Sequence, residues 1–116
     1  MQFDLITIAS KFREGEYVIR SHADDEMQND NVSIDFLVEA IGRDNPKIIE
    51  KYQYSCLILG WATPNDPLHA VIALGTVRQI YDTPVVVTVY RPDRDPERRW
   101  KNGYSKRKKK IFGRLF

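Results

Sequence analysis

Residues 84–91 read Pro-Val-Val-Val-Thr-Val-Tyr-Arg, a β-branched and aromatic run that is typical of a strand in a packed sheet. Three earlier segments have the same character, at residues 48–52, 55–61 and 69–76. The connections between these four segments are short, as in the turn Thr-Pro-Asn-Asp-Pro at 63–67. Because short connections favour neighbouring antiparallel strands over crossovers, the segments predict a four-stranded meander.

Upstream of residue 47 the apolar period changes from 2 to 3.6, which indicates helices. We expect helices at residues 3–13 and 22–30, the second capped by Ser21, and a third after a cap at Ser33. A short edge-type strand is predicted at residues 17–20. The chain is therefore expected to be α+β, with two to three N-terminal helices on one face of a mainly antiparallel sheet of four to five strands.

The 116-residue length fits one domain, predicted at residues 1–100, followed by a basic C-terminal tail at 101–116. The single cysteine, Cys56, excludes an internal disulfide. No apolar run reaches the roughly 18 residues that a membrane span needs, and the N-terminus lacks a basic region followed by an apolar block. These features predict a cytoplasmic protein without a membrane segment.

Charge is distributed unevenly along the chain. Residues 1–97 hold nine Lys or Arg and all sixteen Asp or Glu, a net charge of −7, whereas residues 98–116 hold nine Lys or Arg and no acid. Such a tail is typical of a segment that binds a phosphate-rich or acidic partner, and equally of a solvated terminus. If the partner is RNA, the candidate tail contacts are Lys106, Arg107, Lys108, Lys109 and Lys110.

The two histidines, His22 and His69, are the natural candidates for proton-transfer chemistry. Two-fold alternation places Ala70, Ile72 and Leu74 on the core face of their strand and His69 on the opposite, open face. In the last strand, Val85, Val87 and Val89 are expected on one face, and Val86, Thr88 and Tyr90 on the other. In a suitable register, His69, Thr88 and Tyr90 would share one open surface.

An ordered set of segments runs along most of the chain. It consists of a leading helix, Tyr-Val-Ile-Arg-Ser-His-Ala at 17–23, Asn-Val-Ser-Ile at 31–34, Pro-Leu-His-Ala-Val-Ile-Ala-Leu at 67–74, Val-Thr-Val-Tyr-Arg-Pro-Asp at 87–93, Asp-Pro-Glu at 95–97 and Trp100. The set resembles the DUF4258 family, which is grouped with RelE-like toxins and with barnase-like and colicin-like ribonucleases.

The resemblance implies a small metal-independent endoribonuclease of a toxin-antitoxin pair, without a cofactor. Its partners would be RNA, free or on the ribosome, and a cognate antitoxin, often a small zinc-finger protein. By position it implies catalytic roles for His22, His69, Thr88, Tyr90 and Arg91. Arg20 and Arg78 are further candidate phosphate-binding cations.

The chain departs from the family pattern in two places: many relatives carry arginine where this chain has Glu26, and Asp30-Asn31 replaces the Arg-Gly pair that often follows. Each candidate also has a purely structural interpretation, in which His22 bonds locally at a helix start and Thr88 is ordinary sheet composition. A non-catalytic nucleic-acid or protein-binding module with the same fold is therefore the alternative function. The spacing of the histidines and the cysteine predicts no metal site.

Overall fold

The computed structural model describes residues 4–43, 46–74, 83–94 and 100–107. Within them the helices are α1 (Leu5–Arg13), α2 (Ser21–Asn29) and α3 (Ile34–Gly42). The strands are β1 (Val18–Ile19), β2 (Lys47–Lys51), β3 (Ser55–Trp61), β4 (Pro67–Leu74), β5 (Pro84–Tyr90), β6 (Trp100–Lys101) and β7 (Lys106–Arg107). The predicted α+β class is confirmed. None of the described helices is long and apolar enough to cross a membrane.

Two of the helices begin at a side-chain cap. Asp4 accepts a hydrogen bond from the Ile6 backbone N–H at 3.0 Å, and Ser33 accepts one from Phe36 at 3.0 Å, as predicted for Ser33. The predicted cap of α2 at Ser21 is wrong, because Arg20 occupies the N-cap position and makes no side-chain cap. The reason is that the Arg20 N–H donates to the Val86 carbonyl, so strand pairing extends to the residue immediately before the helix.

The five-stranded sheet has the order β1-β5-β4-β3-β2. The pairs from β2 to β5 are antiparallel, which confirms the predicted meander. β1 lies at the edge, as expected of a strand this short, and pairs in parallel with β5 through Val18–Val85 and Ile19–Val86. The intervening helices and strands supply the crossover that a parallel pair requires.

The main core lies between the helices and one face of the sheet. It joins Ile8, Phe12 and Leu37 from the helices to residues such as Ile58 and Ile72, all fully or almost fully buried. Gly60 of β3 permits the closest approach, because a Cβ there would lie 2.1 Å from the Ala40 carbonyl oxygen of α3. The helix can pack this close to the sheet only where β3 has no side chain.

A second, smaller core covers the other face of the sheet. Strands β6 and β7 form an antiparallel hairpin, and its Trp100 is buried with Leu57 and Tyr90, with Tyr104 packed against them. The predicted boundary between domain and tail at residues 100 and 101 therefore falls inside β6. Residues 101–107 of the predicted tail form part of this packed hairpin, and residues 108–116 lie outside the described residues.

The predicted alternation along the last strand is interrupted by a β-bulge. Val71 pairs with Thr88 but Ile72 pairs with Val86, so Val87 is an extra residue in β5. As a result Val86 and Val89 both enter the main core, although strict alternation places them on opposite faces. One sequence gives no signal for such a bulge. The predicted faces are correct after it, where Val89 and Tyr90 lie on opposite faces, and wrong before it, where Val86 faces the main core.

We expect Gly60→Ala to destabilise the protein by about 3 kcal/mol, because the new methyl group meets backbone that cannot move aside. The matched control is Gly42→Ala at the end of α3, where the Cβ would lie 3.1 Å from the flexible Arg13 side chain and, at 3.7 Å, in ordinary van der Waals contact with backbone atoms of Ala9 and Arg13. Unfolding in urea, followed by circular dichroism, should show a large loss of stability for the first variant and a small change for the second. Equal changes would contradict the close-packing explanation.

Candidate functional site

The side chain of His22 lies on the exposed surface of α2, one turn before Glu26. It is 74% exposed, and its Nε2 atom is 3.4 Å from Glu26 Oε1. The two residues are four apart, the spacing that places side chains on the same face of a helix. An exposed imidazole is thus oriented by a partly buried carboxylate.

Glu26 is itself fixed to the edge of β5. Its Oε1 atom accepts a hydrogen bond from the Val89 backbone N–H at 3.2 Å and another from the Thr88 hydroxyl. One turn later, Asp30 Oδ2 accepts the Arg91 N–H at 3.1 Å. β1 pairs with β5 only at Val85 and Val86. Farther along this edge, Glu26 of α2 and Asp30 at its C-terminal cap therefore supply carboxylate acceptors for the N–H groups of Val89 and Arg91.

Beside this contact lies a cleft of about 290 Å³. We call it the α2–β5 cleft; its walls are Glu26, Asn29 and Asp30 on one side and residues 89–91 with Arg94 on the other. In a β-strand the N–H and C=O of one residue face the same edge, so the Val89 carbonyl also faces this side. The cleft thus combines acceptors with an exposed guanidinium, that of Arg94.

The guanidinium of Arg91 is directed away from solvent. Its carbon lies 4.5 Å from the centre of the Phe36 ring, and its Nη2 donates to the Asn31 carbonyl at 2.8 Å. Asp66 is 3.7 Å from Nη1. Arg91 therefore connects β5 to the turn between α2 and α3, where Asn31 has a left-handed backbone with φ of 55°.

His69 and Tyr90 lie on the opposite face of the sheet and are direct partners in the pairing of β4 with β5, a register that the sequence alone does not fix. The Nδ1 atom of His69 is 3.0 Å from the Tyr90 hydroxyl, and its Nε2 is 2.9 Å from the Tyr104 carbonyl oxygen. Since a carbonyl only accepts, Nε2 carries the proton of this hydrogen bond. Predicted as open, this position is completely buried, because the hairpin with Trp100 and Tyr104 covers it.

The predicted site residues thus form two separate groups. Glu26 links His22 to Thr88 at the edge of β5, whereas His69 contacts Tyr90 beneath the hairpin. Among the predicted RNA contacts, Arg20, Lys106 and Arg107 are exposed. The remaining ones, Arg78, Lys108, Lys109 and Lys110, lie outside the described residues.

Sequence reasoning missed the carboxylates that bind the edge of β5 and the hairpin. In the sequence Glu26 and Asp30 stand out only as departures from a family pattern, although their spacing of four residues places them on one helix face. Glu50 of β2 was missed as well, and it binds the Arg107 guanidinium through two hydrogen bonds, of 3.2 and 2.9 Å. No short-range signal in the sequence connects residues 50 and 107.

The comparison with protein-family models gives one match, to the domain of unknown function DUF4258, over residues 19–91. The chain belongs to the DUF4258 family. Neither a curated protein nor a solved structure gave a match. The family segment of this chain begins in β1 and ends just after β5, so it contains α2, His22, Glu26 and most of the α2–β5 cleft. The hairpin that covers His69 lies beyond the matched segment.

The surroundings shift the pKa of several titratable groups outside the predicted site of this DUF4258 chain, among them Cys56, Tyr52 and Glu50. Burial raises the pKa of the Cys56 thiol to about 12, so that the thiol stays protonated and unreactive at neutral pH. Burial, with the hydrogen bond to Glu50, raises the pKa of Tyr52 to about 12. The Arg107 guanidinium holds the pKa of Glu50 below its usual value of 4.5, and the Tyr52 hydroxyl acts in the same direction.

Among the described residues, no three His, Cys, Asp or Glu side chains are grouped to bind a metal.

We expect Glu26→Ala to cost about 1–3 kcal/mol of stability, because it leaves the partly buried Val89 N–H without an acceptor. Glu26→Gln keeps a carbonyl oxygen at this position and should retain most of the stability. Asp25→Ala, at the neighbouring exposed position of α2, is the control and should change stability by no more than about 0.5 kcal/mol. Urea unfolding measures all three; a loss for Asp25→Ala as large as that for Glu26→Ala would rule out the edge-acceptor role.

The Glu50–Arg107 pair should make hairpin docking dependent on pH. Because the pKa of Glu50 is lowered on folding, its contribution is complete above the unfolded value of 4.5 and disappears as the pH falls through the lower folded value. Wild type should therefore be more stable than Glu50→Gln near neutral pH, and the difference should vanish in acid. In an Arg107→Gln background the same substitution should have a smaller effect. A difference between wild type and Glu50→Gln that does not change with pH would contradict the pairing.

Proposed function

We propose that this DUF4258 chain is a metal-independent endoribonuclease, the toxin of a toxin-antitoxin pair that acts on RNA in the cytoplasm. The observation that carries the proposal is the exposed His22 imidazole, held 3.4 Å from a carboxylate that is itself bonded to the β5 edge. A histidine oriented in this way is suited to general acid-base catalysis near neutral pH.

The proposed reaction is an internal transesterification. His22 takes the proton of a ribose 2′-hydroxyl, and the 2′-oxygen attacks the adjacent phosphorus. The bond to the 5′-oxygen of the next nucleotide breaks, and this oxygen receives a proton from water or from protonated His22. The products are a 2′,3′-cyclic phosphate and a 5′-hydroxyl end. Arg20, exposed two residues before His22, is the proposed cation for the phosphate.

In this proposal the second group of predicted site residues supports the fold. His69 and Tyr90 hold each other and the hairpin, while Arg91 holds the turn between α2 and α3. Thr88 acts through Glu26, as a positioning residue for His22. Catalysis is thus assigned to His22, oriented by Glu26, and the other predicted residues keep these two in place.

The proposal predicts RNA cleavage in the presence of EDTA, with 2′,3′-cyclic phosphate ends. His22→Ala should lower the rate by about 100-fold or more, the usual contribution of general acid-base catalysis. Glu26→Gln should lower the rate while the protein stays folded, because the amide no longer offers the imidazole a negatively charged partner. Asp25→Asn, on the same helix, is the control and should cleave normally. Cleavage that is unchanged in His22→Ala would refute the proposal.

The biological part of the proposal is tested by growth. Expression of the wild-type chain in a bacterial host should arrest growth, and His22→Ala should relieve the arrest. Co-expression of a cognate antitoxin, for which the family resemblance implies a small zinc-finger protein, should also relieve it. Arrest by His22→Ala equal to that by wild type would separate toxicity from the proposed catalysis.

A non-catalytic RNA-binding module is the second candidate. It is favoured by the burial of His69 and the engagement of the Arg91 guanidinium, which leave His22 as the exposed member of the predicted catalytic set. This alternative predicts salt-sensitive RNA binding, with no cyclic phosphate product in any buffer.

A further inference from the structure

Two tyrosine rings are exposed where β2 turns into β3. Tyr54 is 62% exposed and Tyr52 is 42% exposed, although large aromatic side chains are usually buried to a greater extent. The turn is ordered by a hydrogen bond from the Tyr52 N–H to the Ser55 carbonyl, and the Gln53 amide donates to the Tyr54 hydroxyl at 2.9 Å. The Tyr54 ring is therefore exposed to solvent on an ordered turn, with its hydroxyl hydrogen-bonded to the neighbouring Gln53 side chain.

Basic residues are concentrated in the two segments that meet beside these rings. The Glu50 carboxylate receives hydrogen bonds from the Tyr52 hydroxyl and from the Arg107 guanidinium, which makes the turn and the hairpin one continuous surface. Residues 46–55 and 100–107 contain five Lys or Arg and only one acid, which is Glu50 itself. All five cations are exposed; those on the hairpin side of the sheet are Lys47, Lys101, Lys106 and Arg107, whereas Lys51 pairs with Cys56 of the main core and lies on the other side.

We propose that this surface, formed by the β2–β3 turn and the β6–β7 hairpin, binds single-stranded RNA, with Tyr54 stacking on an unpaired base. The proposal deepens the proposed function, on which it rests only in taking RNA as the ligand. Cations that follow a phosphate backbone, combined with aromatic rings on which bases stack, are the usual features of single-strand recognition. A duplex offers no free base face to an exposed ring, so the rings favour the single strand.

The surface lies across the sheet from His22. β2 and β1 are the two edges of the strand order, separated by four strand spacings, or roughly 19 Å. An RNA that is cleaved at His22 and bound at Tyr54 must therefore span the sheet, and a dinucleotide is too short to do so. Tyr54 should affect the binding of long substrates and leave dinucleotide cleavage unchanged.

The experiment measures fluorescence anisotropy of a labelled, unstructured 20-nucleotide RNA and of the corresponding duplex. The full chain carries His22→Ala to prevent cleavage. Adding Tyr54→Ala should weaken single-strand binding about tenfold, the effect of losing one stacked base, and leave duplex binding unchanged. Tyr54→Phe keeps the ring and should bind normally. Ile34→Ala, which removes another exposed apolar side chain on α3, is the control and should have no effect.

Salt dependence tests the cations of the same surface. Lys106→Gln should weaken binding to any RNA. It should also make the slope of the logarithm of the binding constant against the logarithm of salt concentration less steep, by about 0.7 for each phosphate that the variant no longer neutralises. The inference is overturned if the His22→Ala chain does not bind the single strand, if adding Tyr54→Ala has no effect, or if Tyr54→Ala weakens duplex binding to the same extent.

These outcomes are separable from those of the proposed function. If Tyr54-dependent binding is found but no RNA is cleaved, the binding surface stands and the ribonuclease proposal fails. If long and short RNAs are both cleaved through His22 and Tyr54→Ala changes neither rate nor affinity, the ribonuclease proposal stands and the surface assignment fails.

Discussion

The outer edge of β5 is the constraint around which this fold is arranged. A strand edge carries backbone N–H groups that need acceptors, and β1 pairs with β5 only at Val85 and Val86, where the Arg20 N–H also donates to the Val86 carbonyl. Glu26 and Asp30 accept the next two outward N–H groups, those of Val89 and Arg91. Their spacing of four residues along α2 matches a spacing of two along the strand, since a helix rises about 6 Å over four residues and a strand about 6.6 Å over two. A helix thus takes the place of a strand.

The need to satisfy polar groups also explains the buried pair on the other face of the sheet. His69 and Tyr90 lie between an apolar strand surface and the hairpin, where an unpaired ring nitrogen would be costly. Their mutual contact and the Tyr104 carbonyl meet this requirement and give the hairpin a fixed position. Glu50 and Arg107 add a charged contact at the rim, where solvent reduces its contribution.

The fold was largely predictable from the sequence, because hydrophobic period and capping residues act over a few neighbouring positions. The three helices, the meander and the cap at Ser33 follow from such local signals. The site was not predictable to the same degree. The bulge at Val87, the parallel pairing of β1 and the contact of Tyr104 with His69 depend on residues distant in the chain. The face of β4 that carries His69 was predicted correctly, but the burial of His69 depends on a hairpin that lies in the predicted tail.

Position 26 shows why a residue that departs from a family pattern must be judged by what it touches. In this chain its side chain meets a backbone N–H and a hydroxyl at the strand edge, and both act as donors. An arginine would bring further donors to this place and leave the Val89 N–H without an acceptor, so the local geometry requires an acceptor here. The positive charge that the proposed RNA binding would need must then come from outside this contact. Arg20 before α2 and the cations of the hairpin are exposed and therefore available for it. Under the ribonuclease proposal, Glu26 accordingly does not oppose catalysis by His22, because it orients the imidazole and leaves phosphate binding to other elements.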